Sequence, residues 1–150
     1  TDSEGILKQQ LSRIKNPDRQ KRLLYLMPAL SGNEQVRDAF FASLKDRNNR
    51  EKEAWVATAL SYLHHPLRAV TSEKYLQESL ELVEEIQLTG DIFFPTNWLQ
   101  STFGYYHTPT AAETIRRFLA EHPDYNPKLK GKIQQAADGV FRANSIIGIQ

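Results

Sequence analysis

Residues 16–30 read NPDRQKRLLYLMPAL, and this stretch decides the fold class. Asn16 followed by Pro17 is an N-cap with proline at the first helical position, where a missing N–H costs nothing. Leu23, Leu26, Met27 and Leu30 then fall at i, i+3, i+4 and i+7, a core-facing stripe with helical period. Pro28 is expected to kink or end this helix near its last turn. The same grammar recurs outward in both directions. Residues 3–14 form a short amphipathic segment with Ile6, Leu7, Leu11 and Ile14 on one face. Thr108-Pro109 and Asn126-Pro127 repeat the cap-plus-proline device. They open helices carrying Ile115, Phe118 and Leu119, and then Leu129, Ile133, Ala137, Val140 and Phe141.

Between these lie further helical signals. Residues 31–34, Ser-Gly-Asn-Glu, fit a capping box, with Asn33 as a competing cap. Val36, Ala39, Phe40 and Leu44 follow at helical spacing, with Ser43 on the same face. A polar, charged loop over residues 45–50 leads to a helix over 51–64, with Val56, Ala59, Leu60 and Leu63 inward and Trp55 and Tyr62 flanking. His65-Pro66 stops it, because the residue before proline is pushed out of the α region. Ser72 is expected to cap a longer helix striped by Leu76, Leu80, Val83 and Ile86, with Leu82 beside it and Gly90 at its end. Residues 91–95 form an apolar connector whose two phenylalanines are too large to leave exposed, so it should pack onto the domain. A short helix over 96–105 carries Trp98, Leu99 and Phe103. Gly131 and Gly139 inside the last helix each weaken it by about 1 kcal/mol relative to alanine.

No segment alternates like a strand, so the chain is all-α. Some eight helices with short connections favour antiparallel neighbours. Stacked hairpins in a HEAT- or armadillo-like right-handed superhelical layer are the natural architecture, and a closed bundle is the alternative. Tetratricopeptide repeats do not fit, because the spacing is irregular and their fixed tryptophan, glycine and proline pattern is missing.

Composition bounds what such a domain can do. The 150 residues suffice for one domain with a hydrophobic core. Nineteen basic residues against eighteen acidic leave a net charge of +1, which removes the simplest case for nucleic acid. No apolar run reaches the roughly 18 to 20 residues that span a bilayer, so no membrane partner is expected. With no cysteine, disulfides, thiolate metal sites and a cysteine nucleophile are unavailable. The sequence holds no HExxH zinc motif, no Glu-x-x-His, no phosphate-cradling glycine loop and no G-x-S-x-G elbow. Catalytic, cofactor and metal residues are therefore expected to be none. Starting at Thr1 instead of Met, the chain is expected to be one domain, residues 1–150, of something larger.

Two clusters stand out. His64-His65-Pro66-Leu67-Arg68 would place imidazoles and a guanidinium at a helix end, facing a cleft that takes an anionic group. The alternative is that His64 or His65 bonds the last helix carbonyls. Adjacent helical residues point about 100° apart, so the two histidines would not share a metal. The second cluster, residues 91–98, is aromatic: Phe94 and Trp98 either line a hydrophobic subsite or fill a gap between helices. The possible cleft-lining residues are thus His64, His65, Arg68, Phe94 and Trp98. Tyr105-Tyr106-His107 reads as an interface patch or a plain surface turn. Lys128, Lys130 and Lys132 read as a solvated helix face.

Asn16-Pro17-Asp18-Arg19, Met27-Pro28-Ala29-Leu30, Val36-Arg37-Asp38-Ala39-Phe40-Phe41, Tyr62-Leu63-His64-His65-Pro66-Leu67-Arg68, Gly90-Asp91-Ile92-Phe93-Phe94-Pro95 and Ile133-Gln134-Gln135-Ala136-Ala137-Asp138 also carry a resemblance. Together, across nearly the whole chain, they resemble the C-terminal helical domain of bacterial zinc aminopeptidases of the aminopeptidase N family, which are gluzincin metallopeptidases. The phrases are structural and not catalytic signatures. The resemblance implies a parent enzyme that removes N-terminal residues from peptides, with zinc held in a preceding catalytic domain. It implies that this piece packs on its own N-terminal catalytic domain, encloses the cleft and restricts which peptide substrates enter. On this expectation the isolated chain is inactive. The competing expectation is a free-standing HEAT-like scaffold that binds a protein or peptide partner.

Overall fold

The computed structural model describes residues 2–147, so Thr1 lies outside the described residues. They are all-α, with no strand among them. No described helix is long and apolar enough to cross a membrane. The chain packs as two compact units, Thr1–Leu63 and His64–Gln150.

The first unit holds α1 (Ser3–Arg13), α2 (Pro17–Leu30), α3 (Glu34–Ser43) and α4 (Glu53–Leu63), with a 3-10 turn at Arg47–Arg50. α2 is its hub and packs on α1, α3 and α4. The Asn16 carboxamide oxygen accepts from the N–H groups of Asp18 and Arg19, so the expected cap opens α2. Pro28 sits two residues before the end of that helix, where its missing N–H forgoes one bond, the one to the carbonyl of exposed Leu24, and α2 stops soon after. Val56, Ala59, Leu60 and Leu63 of α4 are fully buried, as their spacing demands.

Three expectations in this unit are decided or refined by the structure. Of the two caps expected for α3, Asn33 serves and Ser31 does not: the Asn33 side chain accepts from the Gln35 N–H at 2.9 Å. The Ser31 hydroxyl is engaged elsewhere, donating to the Glu4 carboxylate and accepting from the Asn33 N–H. The inward face of α3 is also rotated. Ala39 is exposed, while Arg37 and Phe41 are buried with Phe40. Finally, the polar, charged 45–50 loop folds into a 3-10 turn at its end, and its Arg50 is 3% exposed. Its guanidinium donates to the Leu44 and Lys45 carbonyls at 2.6 and 3.2 Å, closing the end of α3. Arg37 does the same for α2, donating to the Ser31 carbonyl at 2.8 Å. Buried arginines are tolerable here because the last helix carbonyls need donors.

The second unit holds α5 (Ala69–Ser72), α6 (Leu76–Glu81), α7 (Val83–Thr89), α8 (Phe94–Phe103), α9 (Pro109–Glu121) and α10 (Pro127–Ile147), with 3-10 turns at Pro66–Arg68 and Glu73–Tyr75. α10 lies against α8 and α9, while α6 contacts α8 and α9 and α7 contacts α8. Thr108 and Asn126 cap α9 and α10 as expected, accepting from Ala111 and from Lys128 and Leu129. Asn144 donates to the His107, Thr108 and Val140 carbonyls, tying α10 to the turn before α9. Arg116 stacks 5.1 Å over the Phe141 ring between the same two helices.

The single long helix expected after Ser72 is broken here. Its stripe of Leu76, Leu80, Val83 and Ile86 is fully buried, but Ser72 makes no capping bond and the run passes through a 3-10 turn and a break at Leu82. Thr71 and Ser79 return their hydroxyls to the Arg68 and Tyr75 carbonyls, a competition that bends helices. The connector expectation holds for only one of its phenylalanines. Phe94 is buried and begins α8, whereas Ile92 and Phe93 remain 76% and 70% exposed.

The glycines of α10 and the glycine after α8 behave oppositely. A Cβ at Gly131 or Gly139 meets nothing within 4 Å, whereas one at Gly104 lies 2.7 Å from the Gln100 carbonyl oxygen. Gly131→Ala and Gly139→Ala are therefore expected to raise stability by about 0.5–1 kcal/mol each. Gly104→Ala should lower it. Urea unfolding of the three variants checks both signs at once.

Candidate functional site

The candidate residues gather around the start of the second unit. His64 follows directly on α4, where the approaching Pro66 ends the helix, and its ring is fully buried. Its Nδ1 and the Tyr106 hydroxyl share a hydrogen bond of 2.7 Å across 42 residues of chain. Tyr75 and Tyr106 meet the imidazole edge-on, with ring centroids 6.2 and 5.5 Å away. Nε2 has no partner among the described residues. Burial disfavours the charged form, so the His64 pKa falls from 6.5 to about 3 and the ring is neutral near neutral pH. Burial, then the Glu73 carboxylate, then Tyr75 raise the Tyr106 phenol.

A neutral, enclosed imidazole does not attract an anion by its charge. Nor does His64 bond the last carbonyls of α4. That histidine device appears instead at the end of α9, where His122 donates to the Phe118 carbonyl at 2.7 Å. His65 is exposed and accepts from the Leu67 N–H at 3.2 Å, capping the next 3-10 turn. Arg68 is half-buried. Among the described residues, no three His, Cys, Asp or Glu side chains converge as metal ligands.

The aromatic cluster divides in the same way. Trp98 is fully buried and its indole N–H donates to the Ser79 carbonyl at 3.0 Å, fastening α8 to α6. Phe94 meets it edge-on at 6.1 Å. These two rings sit in the core of the second unit. Tyr105 is half-exposed while its neighbour Tyr106 is buried, so that turn is neither a patch nor a plain surface loop. Lys128 is exposed and Lys130 and Lys132 are half-buried.

Sequence reasoning missed Tyr106 as the partner of His64, and nothing local signals a pairing between such distant residues. It also missed Leu67 and Val70, which are 90% and 95% exposed at i, i+3 spacing. Two aliphatic residues three apart, just after Pro66, are the available sign. Compared with protein-family models, with curated proteins and with solved structures, the chain gives no match in any of the three.

The unfolded chain takes up a proton at His64 below about pH 6.5, whereas the folded chain does so only near pH 3. The contribution of this site is thus complete above pH 6.5 and is lost as pH falls, at about 1.4 kcal/mol per pH unit. In urea unfolding between pH 7 and 4, His64→Leu should flatten this slope, and an unchanged slope would refute the assignment. Tyr106→Phe is expected to cost about 1 kcal/mol at pH 7.

Proposed function

We propose that this chain is the C-terminal helical domain of a zinc aminopeptidase, packing on the parent catalytic domain and restricting peptide access to its cleft. The observation that carries the reading is the run of family-like phrases spread over nearly the whole chain. Several of these phrases stand at joints of this fold. Asn16-Pro17 opens α2, Met27-Pro28 lies in its closing turn, and Phe94-Pro95 opens α8. The exposed aliphatic and aromatic side chains of Leu67, Val70, Ile92 and Phe93 supply apolar area for packing against another domain.

In this reading the helices form a HEAT- or armadillo-like layer that walls the cleft. Excluding water there strengthens the electrostatics of the enclosed zinc site. Zinc and every reacting group belong to the parent domain, which removes N-terminal residues from peptides. This domain contributes shape: His65 and Arg68 border the cleft, while His64, Phe94 and Trp98 hold that border in place.

The test is the reading frame upstream of Thr1, which should encode HExxH and a downstream glutamate, the zinc site that the resemblance implies. The isolated chain should neither bind zinc nor hydrolyse aminoacyl anilides, and chelator-sensitive turnover by it would overturn the reading. In the intact enzyme, Arg68→Ala or Phe93→Ala should shift peptide-length preference while leaving dipeptide-sized substrates nearly unaffected. An upstream frame without the zinc motif would favour the free-standing scaffold.

A further inference from the structure

One face of α2 is not closed. Leu23, Leu26 and Leu30 of that helix, with Ile14 just beyond α1, floor a groove of about 460 Å³ within the first unit. That size lies in the range of sites for small ligands and short peptide segments. The stripe was expected to be core, yet Leu23 and Leu30 stay only half-buried, and water covers apolar area that the helix pattern was built to hide.

Arg19 and Arg22 stand on the same helix face and line the groove, one turn apart. Both are exposed, and neither guanidinium has an ion pair or hydrogen bond among the described residues. Tyr62 adds a half-exposed phenol at the rim. The unit around them is also net basic, with eleven Lys and Arg against eight Asp and Glu in residues 1–63. Two planar forks beside an aliphatic floor match a carboxylate carried next to an aliphatic side chain.

From this complementarity we propose that the α2 groove is a docking site for an acidic, leucine-type peptide segment. The aliphatic side chain lies on Leu23, Leu26 and Leu30, and the carboxylate pairs with Arg19 and Arg22. Tyr62 is the one aromatic ring in the lining, so the groove lacks the run of stacking platforms that successive bases need, which sets it apart from a nucleic-acid groove. The inference rests on the groove alone and is independent of the reading of the chain as part of a larger enzyme.

The test is fluorescence anisotropy of the 150-residue chain with a labelled octapeptide of alternating leucine and glutamate. Counterparts carry lysine for glutamate or serine for leucine, and laurate serves as a competitor. The leucine–glutamate peptide should bind, with affinity falling as NaCl is raised from 50 to 500 mM, and both counterparts should bind at least tenfold more weakly. The double variant Arg19→Gln/Arg22→Gln, altered only at exposed positions, should weaken binding at least tenfold, and Arg19→Lys/Arg22→Lys should recover part of the loss. Equal binding by the glutamine variant or by the lysine peptide would overturn the proposal. So would laurate binding to a chain that ignores the peptide, since the groove would then be a fatty-acid site.

Discussion

Each helix end leaves backbone groups that the helix itself cannot pair, and a chain made of short helices has many ends. That constraint organises this protein more than any single apolar contact. At N-termini it is met locally by Asn16, Asn33, Thr108 and Asn126. At C-termini the donors come from farther along the chain. Arg37 closes α2, Arg50 closes α3 and His122 closes α9. Polar and charged side chains enter the interior for this purpose, because an unpaired buried carbonyl costs more than ordering the donor. Hydrophobic packing then fills the space that the closed ends define.

The legible part of the fold is the local part. A cap followed by proline names its own helix start, and the α4 and α10 stripes needed only their spacing to be placed in the core. Periodicity failed where a residue's fate depends on a distant partner. Arg37 looks like a surface charge on α3, and the Ser31 carbonyl at the end of α2, to which it donates, is a distant partner that helical spacing does not reveal. Residues 72–90 satisfy a single helical stripe, yet the run passes through a 3-10 turn and a break at Leu82, which a hydrophobic pattern does not register. Of two adjacent phenylalanines, one found a tryptophan and one did not.

The candidate site shows the same division. Spacing alone put His65 at a helix stop, where it caps the next turn. The neighbouring His64 reads identically in sequence yet belongs to the interior, because Tyr106 waits for it on a turn after α8. The chain leaves the helix between these neighbours: His64 lies in the turn after α4, and His65 is the extended cap of the 3-10 turn that follows. A pair of histidines therefore makes one structural core residue and one surface acceptor. Half-buried Arg68 beside exposed Leu67 and Val70, and the α2 groove, are the surfaces where charge meets apolar area.

The chain holds two tryptophans, and the compact units hold one each. Trp55 is half-buried beside Tyr25 in the first, and Trp98 is sealed in the second with its indole N–H bonded to a carbonyl. Each unit thus carries its own optical reporter, with a bluer emission from the dry indole than from the half-solvated one. A phenylalanine in place of either tryptophan leaves the fluorescence of the other as a private record of its unit. Whether the two halves melt as one cooperative body or in sequence becomes a matter of watching two colours.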